Sequence, residues 1–228
     1  MLRAHTTPAW VYLGGFTLTL TAGSINTVGF LGLQHQALSH VTGTVTVLGM
    51  ELGRAHYGVA FHALAILAAF FLGCVFSGAI ISQGRLRLGR RYGVTLSLES
   101  LALFTALYFL NHGVSAGDYF AALACGLQNA MVSNYSGSTM RTTHMTGMVT
   151  DLGIACGHFF RGATVDWFNF RLYGVLFIGF FIGGVGGAIS YEHYGYNTLL
   201  FPASLSGITG VGYTIIKHFE RPDKSPAA

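Results

Sequence analysis

Charge is what this sequence has least of. Only 9% of its 228 residues are Asp, Glu, Lys or Arg, against about a quarter in an ordinary soluble domain. With 52% hydrophobic residues and a mean hydropathy of +0.54, that scarcity excludes a disordered chain. The apolar residues come in blocks rather than thin stripes, which excludes a coiled coil. Cysteine is also scarce. Cys74, Cys125 and Cys156 lie inside apolar blocks without a pairing pattern, which excludes a disulfide scaffold and makes them packing residues. Twelve basic residues spread over so apolar a chain form no stripe for a phosphate backbone, so the net charge of +4 does not point to nucleic acid. There is no H-E-x-x-H, no G-x-S-x-G and no repeat of 20–50 residues, so the common hydrolase signatures and a solenoid are absent too.

What is present is apolar length. Blocks run over 9–33, 37–53, 58–81, 92–111, 119–135, 144–160, 172–191 and 196–216. The first is too long for the ~7–15-residue core of a cleaved signal and reads as a retained anchor. Six blocks have the length to cross ~30 Å of hydrocarbon at ~1.5 Å per residue. The second and sixth are shorter, open on polar Thr-Gly segments, and end at Arg54 and Arg161.

These two blocks are copies. His40–Gly49 aligns with His144–Gly153, with seven identities in ten, and Ala22–Asn26 aligns with Cys125–Asn129. Phe70–Val75 likewise matches Phe180–Val185. The expectation is a single transmembrane domain over 1–228, with repeat 1 at about 9–111 and repeat 2 at about 119–217. If the short blocks span, the basic residues divide seven to five between the two sides; if they are re-entrant, the division is eleven to one. The second division satisfies the positive-inside rule. The fold class predicted is therefore all-α: six transmembrane helices, two re-entrant broken helices, inverted halves and both termini cytoplasmic.

In that topology the N-termini of the two short helices meet near the midplane, with unpaired backbone N–H groups and the positive ends of their dipoles. Irregular backbone survives at such depth only beside a cavity or inside protein, and paired broken helices point to a transport site. Thr42, Gly43, Thr146 and Gly147 form the expected centre, flanked by His40 and His144, with Ser39, Thr142 and Thr143 adding hydroxyls. The glycines are expected to let the backbone approach a ligand closely. The competing reading is small-residue helix packing. Asn26, Gln128 and Asn129 either bind substrate or hold the broken backbone. Glu99 and Asp151 are the acids inside apolar blocks suited to carry a proton or ion. Glu51 is read as a surface ion pair with Arg54, and His62 as a packing histidine. The Phe and Gly pattern at 70–81 and 180–189 reads as helix packing, and the Gly-rich face at 179–187 serves either a homodimer or the monomer's own interior.

At Ala22-Gly23, Phe30-Leu31, His40–Gly49, Gly126–Ala130 and Thr142–Gly153 the chain resembles the YoaK-like (DUF1275) family of bacterial integral membrane proteins. The resemblance implies six helices in the bacterial inner membrane and a role like that of small-molecule transporters. The chain carries Asn26 where many members carry Asp, and Thr44 where they carry Asn.

The function expected is a transporter or channel for a small polar solute. Two helix N-termini at one point favour an anion, a carboxylate or a neutral solute. No cofactor and no metal are expected, and no enzymatic activity. The rival readings are a non-transporting scaffold or accessory subunit, and an intramembrane metal-dependent enzyme using His40, His144 and His158 as zinc ligands.

Overall fold

Long apolar blocks wind into long helices because a helix satisfies all of its own backbone groups. The computed structural model describes residues 9–81, 90–136 and 140–219. Arg3, Arg85, Arg87, Arg221 and Lys224, which enter the charge count, lie outside the described residues. Six helices have 20 or more residues: α1 (Ala9–Leu31), α3 (Tyr57–Ile80), α4 (Arg90–Asn111), α5 (Ala116–Ser136), α7 (Trp167–Tyr194) and α8 (Leu200–Phe219). Two are short: α2 (Val41–Gly53) has 13 residues and α6 (Met145–Phe160) has 16. No strand occurs among the described residues.

Among the described residues, three stretches are long and apolar enough to cross a membrane: Tyr57–Ile80, Arg90–Asn111 and Trp167–Phe219. The last contains α7 and α8, separated by a 3-10 turn (Gly195–Leu199) where Gly195 takes φ +56°. Helices α1 and α5 fall outside this group for a physical reason. They carry Thr19, Thr21, Ser24, Asn26, Asp118 and Gln128, all buried against other helices. Their polar atoms face protein, and the outward faces of the neighbouring helices carry apolar residues such as Phe61, Phe71, Phe181 and Ile208.

The packing comes in matched pairs. Helix α1 runs parallel to α7, and α5 runs parallel to α3. A Cβ at Gly23 would strike the Phe180 carbonyl and lie 3.0 Å from Gly184 N; a Cβ at Gly126 would strike the Phe70 carbonyl and lie 3.2 Å from Cys74 N. Gly183 meets Leu20 as Gly73 meets Leu123. Backbones approach this closely only where both surfaces are small. The Gly179, Gly183 and Gly187 face is spent on α1 inside the chain, so it is not open to a second copy. Helices α4 and α8 pair antiparallel: Gly93 packs on Thr214, Ser100 Oγ donates to the Ala203 carbonyl at 2.7 Å, and Asn111 reaches Asn197 at 3.0 Å.

Both short helices end alike. After α2, Ala55 takes φ +58° and His56 N–H donates to Glu51 O at 2.9 Å. After α6, Gly162 takes φ +67° and Ala163 N–H donates to His158 O at 2.9 Å. Each is a left-handed cap that satisfies the last carbonyls and reverses the chain into the next long helix.

The readings of Glu51 and Cys156 need correction, while His62 packs as expected. Glu51 is buried, 7% exposed, and its nearer partner is His56 Nδ1 at 2.8 Å, with Arg54 at 3.4 Å. The chain reversal folds His56 back over the carboxylate, so the pair is not a surface one. His62 is buried too, with Nδ1 2.9 Å from Tyr119 OH and Nε2 3.5 Å from Asp118. Cys156 is exposed on α6 and does not pack in a core.

Candidate functional site

The two short helices start at the same place. Residues 32–40 after α1 and residues 140–144 before α6 lead into the short helices, and an asparagine of the preceding long helix ties down each segment. Ser39 N–H and Ser39 Oγ both donate to Asn26 Oδ1 at 3.1 Å. Thr142 N–H donates to Asn129 Oδ1 at 3.1 Å. So the two asparagines do hold the broken backbone. With each Oδ1 so engaged, the amide NH2 groups have no protein partner among the described residues and remain as donors.

Each segment leads into a helix whose first turn has no side-chain cap. His40 and His144 occupy the N-cap positions without capping hydrogen bonds. Asp166, by contrast, accepts from Phe168 N and Asn169 N at 3.1 Å at the start of α7. The His40 carbonyl receives Thr44 N–H at 3.0 Å, and the His144 carbonyl receives Met148 N–H at 3.2 Å, which starts each helix. The N–H groups of the first turn are left as free donors.

These donors surround a cavity of about 600 Å³. Of the sequence-predicted residues, Asn26, His40, Thr42, Asn129, His144 and Thr146 line it together. Ser39 and Thr143 line it as well. Gly43 and Gly147 do not, and their part differs from the one expected. A Cβ at Gly43 would lie 2.6 Å from His40 Nδ1, and one at Gly147 would strike the His144 ring. Each glycine makes room for the preceding histidine to fold over the first turn; the space it leaves belongs to an imidazole, not to a ligand.

Six lining residues were not site candidates from the sequence: Phe30, Val41, Phe70, Arg141, Met145 and Phe180. Phe70 and Phe180 are repeat equivalents, and that equivalence is the signal that identifies them. Arg141, counted among the cytoplasmic charges, lines the cavity while remaining exposed. Its signal is adjacency to Thr142-Thr143-His144. It is the one formally charged lining residue, and it forms no ion pair among the described residues.

Gln128 lies elsewhere. Its Nε2 donates to Glu99 Oε1 at 2.9 Å and to Thr21 Oγ1 at 3.1 Å. Ser206 Oγ adds a third bond, to Glu99 Oε1 at 3.0 Å. Glu99 is fully buried among α1, α4, α5 and α8, and its Oε2 has no partner. Gln128 therefore supports Glu99 rather than the cavity, one residue from Asn129, which does line it. Asp151 is separate again. It lines a groove of about 280 Å³ between α6 and α7 with His158, Asp166, Asn169 and Tyr173. His158 thus does not join His40 and His144, so the three do not form a ligand set.

Comparison with known proteins bears on the whole bundle. The family described as "Protein of unknown function (DUF1275)" matches residues 14–212. The chain belongs to the DUF1275 family. That match includes both short helices and every described lining residue of the cavity. The UPF0700 transmembrane protein YoaK of Bacillus subtilis (strain 168) is 25% identical over 141 residues, 59% of this chain. The match spans 62% of that relative's length, less than two thirds of it. No solved structure matches the chain. The DUF1275 chain is accordingly a helical protein of a transmembrane family, with a polar cavity where the two short helices begin.

Proposed function

We propose that this protein moves a small polar solute, an anion, a carboxylate or a neutral molecule, across the bacterial inner membrane, as a transporter or channel. The observation that carries the reading is the cavity of about 600 Å³ at which two uncapped helix N-termini converge. Such a cavity between the starts of two short helices, with free donors on its wall, is what a solute pathway requires and what a solid scaffold lacks.

The architecture proposed is six spans in two inverted halves. Helix α2 has 13 residues and α6 has 16, or about 20 and 24 Å at 1.5 Å per residue, short of a ~30 Å core. The antiparallel pairing of α4 with α8 supports inversion, because these are equivalent helices of the two halves. Halves of four crossings each would make them parallel. In this arrangement both termini are cytoplasmic, α2 enters from outside and α6 from inside.

Glu99 is the proposed proton-carrying residue. A buried carboxyl with one oxygen bonded twice and the other unpartnered suits a protonated acid, since an ionised one is costly in a dry site. Asp151, in the groove beside α6, is the second coupling candidate. The reading involves no catalytic chemistry.

The test is uptake into proteoliposomes of purified protein, with a panel of labelled solutes. Thr146→Trp, which fills the cavity, is expected to abolish flux while leaving insertion and elution normal. Flux through Thr146→Trp equal to that of the unmodified protein contradicts a pathway through this cavity.

A further inference from the structure

The cavity wall divides by chemistry. One part is all donors and positive charge: Arg141, the amide groups of Asn26 and Asn129, and the first turns of α2 and α6 beside His40 and His144. No carboxylate among the described residues lines it. The other part is apolar: Phe30, Phe70 and Phe180, with Val41 and Met145. An inorganic anion would use the first part and leave the aromatic wall facing water. A neutral apolar molecule would fill the second and leave the positive charge of Arg141 without a counter-charge. A ligand with both characters satisfies both.

Resting on the solute-site reading above, we propose that the ligand is an organic monocarboxylate with an apolar body. Its carboxylate pairs with Arg141, and its body lies against Phe70 and Phe180. Guanidinium and carboxylate match in planar, two-point hydrogen bonding, which a lysine does not reproduce. One full positive charge selects one negative charge. The site is also polar along its length: the repeat equivalent of Arg141 is Ala37, which is buried and neutral. The carboxylate is therefore held at the α6 side of the cavity. Two sources supply such a molecule, water-soluble aromatic acids and fatty acids leaving the bilayer.

The test is radiolabelled benzoate binding to the purified protein in nanodiscs, with unlabelled competitors. Benzoate is expected to bind. Benzamide, the same body without charge, and acetate, the same charge without the body, are each expected to compete at least about tenfold more weakly, about 1.4 kcal/mol per factor of ten. Arg141→Met is expected to lose at least about tenfold in affinity, and Arg141→Lys to recover only part of it, both with the elution profile of the unmodified protein. Phe180→Ala is expected to weaken benzoate without strengthening benzamide. Laurate competing better than benzoate identifies the bilayer as the source, and the reverse identifies the aqueous phase; in both cases the Arg141 dependence stands. Absence of benzoate binding, equal competition by benzamide, or wild-type affinity in Arg141→Met overturns the proposal. Flux of a sugar or a cation without benzoate binding overturns it and leaves the transport reading standing. Benzoate binding at Arg141 with no flux of any solute keeps the ligand class and removes the transport reading.

Discussion

Asn129→Ala and Asn26→Ala probe what holds the two short helices in place. Asn129 Oδ1 is the partner of Thr142 N–H at 3.1 Å, and Thr142 is 1% exposed. Truncation leaves that N–H buried without an acceptor, a penalty of about 1–3 kcal/mol. Asn26 Oδ1 accepts two bonds from Ser39, which is 5% exposed. The hydroxyl can rotate toward another acceptor but the N–H cannot, so Asn26→Ala is expected to cost at least as much as Asn129→Ala. The two asparagines secure different loops, so the double variant is expected to be additive within about 0.5 kcal/mol. Asp at either position keeps the acceptor and therefore the loop, so Asn129→Asp is expected to unfold near the unmodified protein. The same variant adds negative charge to the cavity wall and is expected to weaken benzoate binding. Denaturant titration in detergent reads the first effect, and the nanodisc assay reads the second. Unfolding of Asn129→Ala at the same denaturant concentration as the unmodified protein, or equal destabilisation by Asn129→Asp and Asn129→Ala, refutes the anchoring role.

The close helix contacts make a second prediction: Gly23→Val and Gly126→Val, which drive side chains into the Phe180 and Phe70 carbonyls, each lower stability by about 1–3 kcal/mol or more. Gly49→Ala and Gly153→Ala, inside helices where nothing lies within 4 Å, do not lower it and are expected to raise it by up to about 1 kcal/mol in the same denaturant titration. Glu99→Gln retains acceptors for Gln128 and Ser206 but cannot release a proton. It is expected to fold normally, exchange solute, and fail to accumulate it under an imposed pH gradient in proteoliposomes. Gly43→Val and Gly147→Val displace the His40 and His144 rings from the first turns and are expected to block flux without preventing insertion. Wild-type uptake by both variants removes the histidine placement from the mechanism.

The elements were legible in the sequence where information is local or repeated. The offset between His40–Gly49 and His144–Gly153 located both short helices, because a run too brief to span and opening on Thr-Gly is visible without tertiary contacts. Six long helices follow from apolar length in the same way. Asn26 and Asn129 were visible as a matched pair, but their choice between ligand and backbone depended on where the return loops pass. Arg141 illustrates the limit. A basic residue between two apolar blocks reads as an interfacial charge, and only the folded chain puts it on the cavity wall. Glu99 and Gln128 lie on different helices, and nothing in either block marks them as partners. Gly43 and Gly147 were conspicuous, yet a glycine vacancy does not say what fills it; here an imidazole does.

Inversion of the two halves is the central claim, and side-specific labelling of the far ends of the short helices tests it most directly. Gly53, the last residue of α2, and Ala163, just beyond α6, are both exposed. With Cys74, Cys125 and Cys156 replaced by alanine, Gly53→Cys and Ala163→Cys are each treated with a membrane-impermeant maleimide on intact cells and on inverted vesicles. The account predicts that Gly53→Cys reacts only from outside and Ala163→Cys only from the cytoplasmic side. Reaction of both from the same side contradicts it, because two half-helices entering from one face cannot belong to inverted halves.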